Sequence, residues 1–236
     1  MQKPRVGKIL LVMAALVLTT TVIFKTYFLW FATYNGYLTL ARFLILVGAD
    51  VNGKDKLGAT PLMAASMEGY NELVNLFVDK GADINVQDHW GNSPLTDALK
   101  GNRPATIKLL IQKGANVNSS SWPGFSPLMV AIKLDRLDSA QSMIQGGADV
   151  NAHGIAGSTA LIISAGEGKL NFVKLLLNSG AQIDAKDSNG YTALSHAQAF
   201  QHTDVVAYLL EKGANPAYKN IYKFEEFEDE GDGGTE

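Results

Sequence analysis

The chain contains no cysteine. That absence excludes a disulfide framework, a thiolate zinc site, an iron–sulfur cluster, a cysteine nucleophile and an acyl-cysteine lipoprotein anchor. It leaves the redox compartment open, since a chain without thiols survives in any of them. Charge is sparse as well: Asp, Glu, Lys and Arg make up 18% of the 236 residues, below the roughly 25% usual for soluble domains. The two signs nearly balance, with 20 bases against 23 acids, which argues against a general nucleic-acid binder, a clearly basic class. Apolar residues reach 47%, so the chain has a core and is not disordered. Its length fits one or two domains. Glycine is abundant, at 23 residues, and that excess needs a cause.

Charge is unevenly placed. Residues 225–236 hold seven acids and no base, residues 1–8 hold Lys3, Arg5 and Lys8, and the 216 residues between sum to +1. Like charges repel and nothing apolar balances the end of the acidic run, so 223–236 reads as a solvated, disordered tail. A sharper reading has it compete for a basic partner, or has Phe224 and Phe227 dock on the open end of the last repeat.

Residues 9–24 (ILLVMAALVLTTTVIF) are sixteen residues without a charge, flanked by Lys8 and Lys25. Sixteen is just short of the usual window of about 17–25 for a spanning helix, and snorkelling lysines close the gap. Tyr27, Phe28 and Trp30 follow, residue types that suit the membrane interface. The basic residues before the run predict a signal anchor with a cytoplasmic N-terminus and an exported remainder, a bacterial periplasm being the natural setting. A cleaved signal peptide is the alternative, but no good A-x-A cleavage site follows the run.

Self-comparison is decisive. Gly-Ala recurs at 48, 81, 114, 147, 180 and 213, always 33 apart. The same period carries Thr60-Pro61-Leu62, Ser93-Pro94-Leu95, Ser126-Pro127-Leu128, Thr159-Ala160-Leu161 and Thr192-Ala193-Leu194, each two residues after a glycine (Gly58, Gly91, Gly124, Gly157, Gly190). Within one unit, Thr60 can cap a short helix and Pro61 suits its first position. Gly69 is placed to end it in the left-handed conformation. A second helix then opens at Asn71, with Leu73, Val74, Leu76 and Phe77 on one face. Gly81 stops it, and a short extended loop leads to Gly91. Two helices this small cannot bury their faces alone and need stacked neighbours.

The pattern G-x-T-P-L-x-x-A-A-x-x-G…L-L-x-x-G-A-D-x-N resembles the ankyrin repeat. It covers residues 25–222 as six units opening at Lys25, Gly58, Gly91, Gly124, Gly157 and Gly190. The resemblance implies an all-α fold: an ankyrin-repeat α-solenoid of six helix–turn–helix units with finger loops, here with one N-terminal transmembrane helix. It also implies protein binding as the activity. The organisation read from sequence is a basic tail (1–8), an anchor (9–24), the repeat domain (25–222) and an acidic tail (223–236).

Departures from the pattern are specific. The histidine expected after T-P-L is Met63, Thr96, Met129, Ile162 and Ser195 here, so its hydrogen bonds between repeats are lost. The helix-ending glycine becomes Asn102, Asp135 and Gln201. Asn102 tolerates the left-handed conformation, whereas Gln201 is expected to fray. The first unit reads Tyr27-Phe28-Leu29 where T-P-L belongs, giving an N-terminal cap with a greasy outer face. End repeats in water need polar outer faces, so this cap is expected to pack close to a membrane surface.

Motifs for catalysis or metal binding are weak. The histidines (His89, His153, His196, His202) form no H-E-x-x-H. Gly166-Glu167-Gly168-Lys169 lacks the upstream glycine and the Ser/Thr of a phosphate loop. Asp187-Ser188-Asn189-Gly190 lacks a closing glutamate for calcium, and the repeat explains it as a finger turn. Asn118-Ser119-Ser120 is a glycosylation sequon of low specificity. No enzyme, cofactor, metal site, nucleic acid or small-molecule substrate is expected.

The surface left over by stacking is where a partner would bind. Finger positions supply Lys56, His89, Trp90, Trp122, His153 and Ile155, and exposed tryptophan is over-represented at interface hot spots. The alternative is that Trp90 and Trp122 brace neighbouring fingers. On the first helices, Met129, Val130, Ile162 and Ile163 make an oddly apolar surface in the fourth and fifth units, bordered by Asp97 and His196; whichever row faces outward forms a concave patch. These residues predict a membrane-tethered adaptor without catalysis. The alternative is a dedicated inhibitor or immunity protein whose acidic tail covers a basic active site.

Overall fold

From the second repeat onward, each repeat opens where a hydroxyl takes over an orphan helix amide. Thr60, Ser93, Ser126, Thr159 and Thr192 are extended, and each side chain accepts a hydrogen bond from the backbone N–H three residues on. Proline fills the first turn after Thr60, Ser93 and Ser126, where its missing N–H loses nothing. The structure, a computed structural model, describes residues 22–121 and 124–217. The apolar run up to residue 21, Trp122 and the acidic tail 223–236 lie outside the described residues.

Twelve α-helices are described, in six antiparallel pairs. The first four pairs are α1 (Val22–Tyr34) with α2 (Leu38–Leu46), α3 (Pro61–Glu68) with α4 (Asn71–Asp79), α5 (Pro94–Lys100) with α6 (Pro104–Gln112), and α7 (Pro127–Lys133) with α8 (Leu137–Gln145). The last two are α9 (Ala160–Gly166) with α10 (Leu170–Asn178), and α11 (Ala193–Ala199) with α12 (Thr203–Glu211). The chain forms two compact blocks, one up to Ile155 and one from Ala156 onward. In the first, α3 packs on α1 and α5, α5 on α7, and the second helices α2, α4, α6 and α8 line up behind. In the second block α9 packs on α11 and α10 on α12. Among the described residues there is no strand, only an isolated bridge between Ser121 and Phe125.

Amphipathic spacing decides which face is buried. In α4, Leu73, Val74 and Phe77 are buried while Glu72 and Asp79 stay exposed. Phe77 is fully covered, a burial worth about 1.5–3 kcal/mol. The helix–helix turns need left-handed backbone. Gly69 supplies it at φ +81°, and Asn102, Asp135 and Gln201 adopt it at φ +54°, +58° and +59°. Gln201 therefore does not fray: His202 N–H donates to the Ala197 carbonyl at 2.9 Å and Thr203 N–H to that of Gln201 at 3.0 Å, which closes the turn.

Residues 22–24 of the expected anchor lie within the first described helix, Val22–Tyr34, which packs as part of the first repeat. Among the described residues no helix is long and apolar enough to cross a membrane. The expected single repeat domain contains the division between Ile155 and Ala156, at a short 3-10 turn (Ile155–Gly157) where Ala156 is left-handed at φ +52°.

A polar ladder that sequence reading missed joins the loops after the second helices. Asn52 donates through Nδ2 to the Gly81 carbonyl (3.0 Å) and accepts from Asp83 N–H (2.9 Å). Asn85 accepts from Asn116 N–H (2.7 Å), and Asn118 bonds the Gly147 carbonyl and Asp149 N–H at 3.1 and 2.8 Å. In the second block Asp184 accepts from Asn215 N–H at 3.0 Å. These are the N-terminal neighbours, one repeat earlier, of the D-x-N segments that the period exposes. The sequon residue Asn118 thus has its side-chain amide engaged in the stack.

Candidate interaction surface

The finger turns are built on aspartate. Asp88 Oδ1 accepts from Trp90 N–H (2.9 Å) and Asn92 N–H (2.8 Å), while Oδ2 accepts from Asn92 Nδ2 (2.8 Å). Asp55 and Asp187 repeat the arrangement with Leu57 and Ala59, and with Asn189 and Tyr191. Fingers also clasp one another: His89 N–H donates to the Leu57 carbonyl at 3.0 Å, and Gln87 Nε2 donates to the carbonyls of Gly91 and Ser120, both at 2.9 Å. The tips are therefore rigid platforms for the side chains they carry.

In the first block these fingers and the first helices enclose an open groove of about 480 Å³. Its lining takes Asp88, Trp90 and Asn92 from one finger, Ser121 and Phe125 from the next, and Met67, Thr96, Asp97, Lys100 and Val130 from the first helices. Trp90 is 46% exposed, so part of its ring faces the groove and part lies against its neighbours. Lys133 Nζ lies 5.1 Å from the centre of the Phe125 ring, a cation–π distance.

Asp97 is the perturbed acid of the groove lining. Burial pushes its carboxyl up to about 6, against the pull of Lys100 and with a push from Asp88. Its side chain is 13% exposed and pairs with Lys100 Nζ at 3.6 Å. A carboxylate held half out of water beside aromatic side chains is suited to a cationic or hydrogen-bonding partner group.

The structure brings together Trp90, Asp97 and Val130 of the sequence candidates. Lys56 and His89 are exposed on neighbouring fingers, and His153 and Ile155 are exposed at the end of the same block. Trp122 lies outside the described residues. Met129 is corrected: it is 1% exposed, and a Cβ at Gly154 would fall 2.8 Å from its sulfur. The whole row to which it belongs is internal. Met63 and Ile162 are buried apolar fill, and Thr96 and Ser195 are turned back onto their own caps, with Ser93 N–H donating to Thr96 Oγ1 at 2.7 Å. The next row, Ala64, Asp97, Val130, Ile163 and His196, is half-buried and faces outward.

The expected patch around Val130 and Ile163 divides, because Val130 belongs to the first block and Ile163 to the second. In the second block Ile163 and His196 occupy the same outward position in successive repeats. His196 Nε2 meets Asp187 Oδ2 at 3.0 Å and its ring lies edge-on to Tyr191 at 6.2 Å. Although burial pushes the Asp187 carboxyl up, His196 and the amides of Tyr191 and Asn189 hold it below its ordinary range. Sequence reading missed Phe125, Met67 and Lys100. The register could have pointed to Phe125, which fills the variable position between Gly124 and the Ser126 cap. Among the described residues no three His, Asp or Glu side chains gather as metal ligands.

A stack of capped helix pairs with rigid fingers and an open groove defines an ankyrin-repeat fold, and the family profile of ankyrin repeats (three copies) matches residues 7–88, 29–121, 71–154 and 128–220. The chain belongs to the ankyrin-repeat family, whose domains are protein–protein interaction modules. Among solved structures it is similar to the crystal structure of the ankyrin repeat domain of Bcl-3, described as a unique member of the IkappaB protein family. The two are 28% identical with a TM-score of 0.71, over 76% of this chain and 81% of that one. A search of curated proteins finds no match.

Proposed function

We propose that the protein is a membrane-tethered interaction module, without catalysis of its own, that grips a protein partner in the groove of its first block. One observation carries the reading: Trp90, Asp97 and Val130, from three different repeat segments, converge on one open groove with Phe125 and Met67. Aromatic anchors beside a desolvated charge are what interface hot spots consist of. The repeat family supports a protein as the bound species. The tether rests on residues 9–24, uncharged between Lys8 and Lys25, with Lys3 and Arg5 before them. The positive-inside argument then puts the N-terminus in the cytoplasm and the repeats outside it.

Trp90→Ala tests the site. A hot-spot loss of about 2 kcal/mol weakens partner retention about thirtyfold. The melting temperature should shift by less than about 2 °C, because an exposed finger residue contributes little to the core. A photo-crosslinker at position 90 should capture the partner, and one at the exposed Lys108 on α6 should not. A large fall in melting temperature with partner retention intact would assign Trp90 to bracing.

A further inference from the structure

The side of α1 opposite its buried face is unusually apolar. Ile23, Tyr27, Phe31 and Tyr34 follow one another at helical spacing and are 80%, 70%, 44% and 59% exposed. Leu29, Ala32 and Thr33, on the other side, are completely buried. Trp30 stacks on Tyr34 at 5.6 Å, and Tyr37 meets the Phe31 ring at 6.1 Å. The result is an aromatic stripe on a terminal repeat, where a polar face is the rule. Tyr and Trp, with an apolar body and a polar tip, are the residues that settle at the headgroup level of a bilayer.

Charge selects the kind of surface that covers the stripe. The first acidic residue of the sequence is Asp50, and the only charged residues between the uncharged run 9–24 and it are Lys25 and Arg42, both basic and on the same side of that run as the repeats. The chain as a whole is −3, so this acid-free, basic stretch is a local feature. It complements anionic headgroups, which attract bases close to the membrane surface. Lys25 is fixed by donation from Nζ to the Val47 carbonyl at 2.9 Å, and Arg42 is exposed on α2. Continuity points the same way. The last three residues of the uncharged run 9–24, Val22 to Phe24, lie within α1 itself, so in sequence the proposed tether runs directly into the helix that carries the stripe.

We infer that the aromatic stripe of α1 is a lipid-contact surface that beds the first repeat in the headgroup region of an anionic bilayer. The inference rests on the tethered reading and adds a claim to it: the repeat domain is held against the membrane at a defined face.

The cysteine-free sequence makes single-site labelling simple. Full-length Tyr27→Cys, Phe31→Cys and, as control, Lys108→Cys are each coupled to an environment-sensitive fluorophore. They are reconstituted with vesicles of phosphatidylcholine alone or mixed with phosphatidylglycerol, carrying nitroxide-labelled lipid as quencher. The labels at 27 and 31 should be blue-shifted and quenched several-fold more than the label at 108, with the larger difference in the anionic vesicles. Introducing Tyr27→Glu and Phe31→Glu into a chain labelled through Tyr34→Cys should bring quenching down to the control level with the helical circular dichroism unchanged. Co-flotation with aqueous labels at 27 and 31 overturns the inference and leaves the tether standing. Labels shielded from water yet unquenched by lipid also overturn it, by showing that protein covers the stripe. Failure of the chain to co-float removes tether and inference together.

Discussion

Asp97 is a residue kept where it weakens the fold. Its carboxyl sits at about 6, above the ordinary 3.8, so the native state holds the proton more tightly than the unfolded chain. Stability therefore falls as pH rises from about 4 to about 6, and above that range the ionised group costs on the order of 3 kcal/mol. Asp97→Asn should raise the urea midpoint at pH 8 and leave it unchanged below pH 4; an equal midpoint at both pH values would refute the burial argument. The same substitution should weaken partner retention, since the charge faces the groove. At this scale the sequence was partly legible. The 33-residue register marked Asp97 and Val130 as outward candidates because side-chain spacing on a first helix repeats with the unit. It could not separate the Met129 row from the Val130 row, because both are apolar in the fourth unit and only the fit beneath Gly154 shows which one turns inward. Nor could it give the state of the Asp97 carboxyl, which depends on how closely its neighbours exclude water.

The helices themselves were the most legible part. Caps, prolines and apolar spacing all agree from Thr60 onward, and local agreement of that kind is what makes a segment fold one way. Less visible were contacts between helices that involve backbone. Gly101 follows α5 with ordinary right-handed geometry at φ −70°, so nothing in its own conformation demands glycine. A Cβ there would run into the carbonyl of Met67 at the end of α3. The same carbonyl accepts from Arg103 Nε at 3.0 Å. Gly101→Ala should therefore push α3 and α5 apart and lower stability by about 1–3 kcal/mol, the usual range for overpacking, as read from urea denaturation. Gly114→Ala is a poor comparison, because at φ +90° it is strained for backbone reasons alone although nothing lies within 4 Å of the added carbon. The fraying expected at Gln201 came from propensity alone; the hydrogen bonds of His202 and Thr203 override it.

For the molecule as a whole, charge placement separates two ways of working. Removing residues 225–236 takes away seven acids and changes the net charge from −3 to +4. An adaptor that binds through its groove should retain its partner after this deletion. A marked loss of retention, measured at two salt concentrations, would favour an inhibitor that covers a basic site with its tail. The repeat architecture was legible at this scale because its period is strict over the whole array. The division after Ile155 was not, since the markers run through it without a break. The asparagine ladder adds a constraint on how such a chain can change length. Its bonds join residues 29 and 31 positions apart, such as Asn52 to Gly81 and to Asp83. Adding or losing a single residue within the helices between partners displaces the rung that spans it, whereas a residue looped out at a finger tip, or the gain or loss of an entire 33-residue module, leaves the pairing in register. Lineages of this protein should therefore differ by whole modules, with short insertions tolerated only at the finger tips.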